Sequence, residues 1–148
     1  MKPYIKFLMM IVVSTVIMYG LMFFNIYQFG DYFFSQTMFW MALLMGATMA
    51  IVMLLFMWPM YKNKRLNRLI ILVSVLIFGG SLFLVRSQTT VNDAAWLRGM
   101  IPHHSMAILT SKRAHLSDPE VKALAEKIAI TQRQEIEQMA ALLEQLKK

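Results

Sequence analysis

The chain has 148 residues, of which 58% are hydrophobic, with a net charge of +7 and no cysteine. Soluble domains hold about 45–50% apolar residues, so a wholly soluble protein is excluded, and the absent cysteines exclude disulfides and thiolate metal sites. The basic balance is not a nucleic-acid signature, because most of the excess flanks apolar runs where membrane topology accounts for it.

The charge is distributed unevenly. Residues 1–87 hold seven bases and a single acid, Asp31, whereas residues 88–148 hold eight bases and seven acids. The first part reads as a membrane domain and the second as an ordinary charged domain outside the lipid, with the boundary between 87 and 88.

A bilayer core of about 30 Å takes about 20 apolar residues in a helix. Three segments meet that length. The first runs from about Ile5 to Tyr27. It is too long for the apolar region of a signal peptide, and no small-residue cleavage pattern follows it. The loop after it carries Asp31 and no base. It also carries Tyr27, Phe29, Tyr32, Phe33 and Phe34, the composition of an interfacial aromatic belt.

The second span runs from about Thr37 to Trp58. Met38, Met41, Met45, Met49, Met53, Met57 and Met60 recur along it at intervals of three or four. At 100° per residue they fall within about 160° of arc. Thioethers suit Cu(I) or Ag(I), but methionine also fills irregular packing gaps, and the spacing alone favours packing. Gly46, Ala47 and Ala50 allow a neighbouring helix to approach closely.

The third span runs from about Leu69 to Val85. Lys62, Lys64, Arg65 and Arg68 precede it, and Lys2 and Lys6 precede the first span or lie at its edge. The positive-inside rule therefore predicts a cytoplasmic N-terminus and a cytoplasmic 60s loop. Arg86 is a minor counter-signal. Three crossings then leave residues 88–148 on the periplasmic or extracellular side of the plasma (inner) membrane. With no charge in the middle of any span, a transporter is not expected.

After a linker at 87–90, the sequence predicts a helical hairpin. Thr90 or Asn92 caps its first helix, which runs to about His115. Pro102 predicts a kink or a local break. Asp118 caps the second helix, with Pro119 at its first position and Glu120 near its positive end. That helix runs to about Leu146, with Lys147 and Lys148 favourably placed at its C-terminal end. Its apolar stripe is Val121, Ala125, Ile128, Ile136, Met139, Leu143 and Leu146. Gln132 and Glu135 interrupt the stripe and need polar partners there.

Counting outward from the turn places His104 opposite Thr131–Gln132 and Met100 opposite Glu135. Met139 falls one turn further, near Trp96. Met100, His103, His104, Gln132, Glu135 and Met139 are thus expected in one layer. Adjacent histidines on a regular helix point about 100° apart, so both reach one ion only through a kink at Pro102 or across two chains. Imidazole and thioether donors without thiolate favour Cu(I) or Ag(I), and imidazole with carboxylate admits Cu(II) or Zn(II). The plainer alternative is a buried histidine hydrogen-bonded to Glu135. His115 lies about 16 Å along the helix from His104, which suits a partner for the helix dipole better than a ligand of the same ion. Met106 points away from His104. Two helices of this length bury little core alone, so a homodimer forming a four-helix bundle, or packing on the membrane portion, is expected.

The stretch Trp96–Ile108, with its Met-Ile-Pro-His-His core at 100–104, resembles the family catalogued as domain of unknown function 305. The Asp118-Pro119 start and the series Gln132, Glu135, Ile136, Met139 resemble its second half. The segment Met41–Ala47 is similar to a membrane-anchored branch of that family. The resemblance implies an all-α, ferritin-like fold and an association with copper binding and resistance in bacteria. It implies His103, His104, Met100 and Met139 as ligands. The chain departs from many members at Thr110, where they have methionine, and at Met106, where they have glycine.

The expected function is thus a membrane-anchored protein that sequesters or transfers Cu(I) or Ag(I) outside the cytoplasm. Its expected site is His103, His104, Met100, Met139 and Glu135. A structural or assembly module for another membrane protein, with the histidines as core residues, is the competing expectation. An enzyme is not expected: di-iron bundles use Glu-x-x-His pairs, the sequence contains none, and Glu135 is its one core glutamate.

Overall fold

The computed structural model describes residues 2–146; the expected role of Lys147 and Lys148 falls outside them. Among the described residues there are five α-helices and no strand. They are α1 (Lys2–Leu21), α2 (Gln36–Phe56), α3 (Lys64–Ser87), α4 (Asp93–Arg113) and α5 (Pro119–Gln145). The single-turn 3-10 helices Phe29–Asp31 and Trp58–Met60 lie before α2 and α3. α1, α2 and α3 are each long and apolar enough to cross a bilayer. Their outward side chains are aliphatic and exposed, Val16 and Leu76 at 66% among them, as suits contact with lipid.

The chain folds as two compact units. The first comprises Met1–Leu21 and Thr37–Thr90, and the second comprises Met22–Gln36 and Val91–Lys148. The loop between α1 and α2 therefore belongs with the C-terminal hairpin.

In the first unit, small residues line the buried side of α2: Ala42, Gly46, Ala47 and Ala50. A Cβ at Gly46 would collide with the Thr15 hydroxyl of α1, so glycine is what lets the two helices meet. Tyr4, Phe7, Leu54, Tyr61 and Ile70 form the core at one end, with Met53 and Met57 packed against it. α2 stops at Phe56 and Pro59 sits in the following 3-10 turn. Met57 and Met60 thus leave the helix, Met60 is 68% exposed, and Met38 is buried. The regular methionine face predicted by spacing is split by the end of the helix. At the other end, Gln88 closes α3 in a left-handed conformation (φ 52°). Its side-chain oxygen accepts a 3.2 Å hydrogen bond from Thr37, tying the two helix ends together.

The second unit is built on α4 and α5. Asn92 caps α4 through a bond from the Ala95 N–H (2.9 Å), and Asp118 caps α5 through the Glu120 and Val121 N–H groups. α4 is assigned as one continuous helix through Pro102, so no local break occurs there. Proline costs a helix interior about 3 kcal/mol. Here Pro102 is buried between Ile101 and Ser105 in sequence, and tertiary packing offsets that cost. Leu97, Ile101, Ile108, Ile136, Met139 and Leu143 form the core, each side chain contributing about 1.5–3 kcal/mol when fully buried. His115 lies beyond the end of α4, in the turn, so it is not the last-turn residue that was expected.

The apolar stripe of α5 is wider than α4 alone covers. Ala129, Ile136, Met139 and Leu143 are buried. Val121, Ile128 and Leu146, expected in the same stripe, remain exposed, as do Leu124 and Leu142.

Candidate functional site

Ser105 anchors the back of α4. Its hydroxyl accepts a 2.8 Å bond from the Tyr27 N–H and donates a 2.6 Å bond to Asp31 Oδ2. Arg133 of α5 places a guanidinium nitrogen 3.5 Å from Asp31 Oδ1. The Arg133 guanidinium also lies 5.8 Å from the Tyr27 ring centre, and Lys112 Nζ lies 4.8 Å from that centre. Ser35, buried at 1% exposure, sits beside Gly99: a Cβ at Gly99 would lie 3.2 Å from its hydroxyl. Tyr27 and Phe33 pack on the hairpin core. The 22–36 loop is thus keyed into the side of α4 that carries Gly99 and Ser105. Expected to end the first span, Tyr27 instead lies past Leu21, where α1 stops.

His104 lies in the layer that helical counting predicted. Its Nδ1 is 2.9 Å from the Met100 carbonyl oxygen. Its Nε2 is 2.9 Å from Glu135 Oε2, with the imidazole 12% and the carboxylate 43% exposed. Gln132 Nε2 donates to the same Glu135 oxygen at 3.2 Å. Met139 is buried in the adjoining core, and Met100 packs against that core.

A carbonyl oxygen accepts only, so Nδ1 of His104 is the donor to Met100. With Nδ1 donating to the backbone, Nε2 is the ring nitrogen turned toward Glu135, and a backbone carbonyl holding the second nitrogen is an arrangement common in metal-ligating histidines. Nε2 is aimed at a carboxylate oxygen, and a cation can take the place of the proton those two atoms share. Beside this pair, Met100 and Met139 are the thioether-bearing residues of the adjoining core.

His103 is placed differently. It is exposed, and its ring centre lies 6.1 Å from that of His104 with the planes at 62°. A continuous helix sends adjacent side chains about 100° apart, so the two rings do not converge within the chain. Among the described residues, no three His, Cys, Asp or Glu side chains stand close enough to hold an ion. A cage of hard nitrogen and oxygen donors is therefore not assembled within one chain.

Sequence reasoning missed the Asp31–Ser105–Arg133 cluster. The signal that was present is that Asp31 is the one acid in residues 1–87, and an isolated acid beside apolar spans is retained at a cost unless something pairs with it.

Residues 84–148 match the family described as Domain of unknown function (DUF305). The chain is also similar to "Uncharacterized protein L153" of Acanthamoeba polyphaga mimivirus, at 37% identity over 120 residues. That match covers 80% of this chain and 77% of the viral protein. It is longer than the 84–148 segment, so the similarity reaches into the apolar front. No solved structure matches the chain. With a matching C-terminal segment and a relative alike over most of both lengths, the chain belongs to the DUF305 family.

Proposed function

We propose that the protein is a membrane-anchored copper-binding protein that sequesters or hands on Cu(I), or Ag(I), outside the cytoplasm. The observation that carries this reading is the way the His104 ring is held. Met100 holds Nδ1 at 2.9 Å, leaving Nε2 facing Glu135 beside two thioether-bearing residues of the same core. Soft thioethers with one imidazole suit Cu(I) better than Zn(II) or Cu(II). When bound, copper supplies a soft, redox-capable centre. The chain supplies His104, Met100, Met139 and Glu135 to hold it.

His103 enters this reading through a second chain. Trp96, Leu124, Leu142 and Leu146 are each 49–57% exposed. A second copy laid on these residues would give a four-helix, ferritin-like bundle and bring a further imidazole to the site. The membrane orientation follows the basic loops, with the N-terminus and the 60s loop cytoplasmic. The membership of the 22–36 loop in the hairpin unit fits three crossings, which put that loop and the hairpin on one side of the membrane.

The test is titration of the purified full-length protein with Cu(I), wild type against the H103A/H104A double variant. The reading predicts tight binding that the double variant loses. Equal affinity in both removes the site.

A second reading has its own observation. Both ring nitrogens of His104 already have oxygen partners at 2.9 Å, so the pair serves equally as a satisfied core contact in an assembly module. A partner captured through the hairpin that survives both chelation and the double substitution favours that reading.

A further inference from the structure

We propose that one end of the first unit is a binding surface for the phosphate-bearing headgroups of anionic phospholipids. Lys6, Lys62, Lys64, Arg65 and Arg68 are all exposed there. The unit comprises Met1–Leu21 and Thr37–Thr90 and contains no aspartate or glutamate. These cations therefore have no carboxylate of their own unit to pair with. Lys64 and Arg65 also occupy the first turn of α3, where the helix dipole is itself positive and basic residues are disfavoured. An anion from outside the unit would neutralise them.

The surface is held in shape. The Tyr4 hydroxyl donates to Asn67 Oδ1 at 2.8 Å and accepts from the Asn63 N–H at 3.1 Å. The Asn67 amide donates to the Tyr61 carbonyl at 2.8 Å, and Asn67 is fully buried. Asn63 in turn caps α3 through the Arg65 and Leu66 N–H groups. This clasp brings the start of α1, with Lys6, against the loop that carries Lys62. The basic end is thus a folded surface, with its charges drawn from two helices and a loop.

Adjacent residues say which anion fits. Ile5, beside Lys6, is 54% exposed, and Leu69, beside Arg68, is 53% exposed. Met60 on the same loop is 68% exposed. Charge and apolar surface meet at the end of helices long enough to span a bilayer. A soluble anion satisfies only the charges. A phospholipid satisfies both, its phosphate on the bases and its acyl chains on the flanking apolar side chains. Arginine's planar fork also matches phosphate oxygens in pairs.

The test uses detergent-solubilised full-length protein and native mass spectrometry, with dioctanoyl phosphatidylglycerol and dioctanoyl phosphatidylcholine as probes. The wild type is expected to prefer phosphatidylglycerol by about tenfold or more, since each base near a lipid headgroup contributes roughly fivefold. In the K64Q/R65Q/R68Q variant the preference is expected to fall below about twofold. Should that variant fail to fold, raising salt on the wild type from about 0.05 to about 0.5 M gives the same answer by screening. Equal binding of the two lipids by the wild type, or a preference indifferent to both the variant and salt, overturns the proposal. Displacement of phosphatidylglycerol by an equal concentration of inorganic phosphate also overturns it, because the surface would then read phosphate alone.

Discussion

Replacing Asp31 with alanine is expected to lower the free energy of opening α4 by about 2–3 kcal/mol, one of the largest effects of any single substitution outside the core. Two contacts are lost together. The Ser105 hydroxyl loses a 2.6 Å charge-assisted acceptor, and Arg133 loses its carboxylate at 3.5 Å. The Asp31 side chain is 8% exposed and that of Arg133 is 28% exposed, so water only partly compensates the arginine. One terminal nitrogen of Arg133 is already buried without a hydrogen-bond partner, which leaves the guanidinium little to fall back on. Hydrogen exchange of the α4 amides in the full-length protein measures this directly. Protection factors are expected to fall about 30- to 150-fold, because 1.4 kcal/mol is tenfold. Asp31→Asn keeps an acceptor for Ser105 and should cost less than half as much. Unchanged exchange in the alanine variant would mean that the loop rests on the hairpin without holding it.

The second large effect concerns which donors matter for copper. His104→Ala is expected to weaken Cu(I) binding by on the order of a hundredfold or more, since loss of an outer partner alone typically costs 10–100-fold. The Met100 carbonyl holds Nδ1 of His104, and Nε2 faces Glu135. His103 is exposed, with its ring centre 6.1 Å away. His103→Ala should therefore cost much less at protein concentrations where the chain is monomeric, and more where it self-associates. Glu135→Gln should cost an intermediate amount, because the amide keeps an oxygen toward His104 but loses the charge. Competition against a Cu(I) chelator of known affinity separates the three. Equal losses from His103 and His104 in the monomer would show that the helix turn around Pro102 rearranges on binding.

The parts legible from sequence are those governed by local rules. Of the two caps open for the first helix, Thr90 and Asn92, the structure uses Asn92, and Asp118 with Pro119 caps the second as expected, because capping chemistry acts over one turn. Counting helical turns sets His104 opposite Thr131–Gln132 and Met100 opposite Glu135; the structure pairs His104 with Glu135 instead, further along α5, because a count from the turn fixes the layer but not the side-chain partner. The misses are long-range. Asp31 and Ser105 are 74 positions apart in sequence, and no periodicity encodes such a contact. Tyr27 and Phe33 read as an interfacial belt because aromatic composition is the same whether a ring meets headgroups or a protein core; here they pack on the hairpin. The α5 stripe is legible as apolar, but which of its residues α4 covers is not: Val121, Ile128 and Leu146 stay exposed, because one neighbouring helix covers only part of so wide a face. Pro102 was given its usual helix-breaking weight, and burial overrode it.

The two units bear differently on function. The first carries three helices long and apolar enough to cross a bilayer and a basic end without acids. The second joins the loop between α1 and α2 to the family domain through Asp31. Loss of the Asp31 contact should therefore disturb the helix that bears His104 without touching a donor atom.

Copper K-edge X-ray absorption of the full-length protein loaded with one equivalent of Cu(I) tests the central claim most directly. The account predicts mixed nitrogen and sulfur scatterers, with the sulfur contribution lost in the M100L/M139L variant and the imidazole contribution reduced in H104A. A first shell of nitrogen and oxygen alone, or a spectrum that neither variant alters, would contradict it.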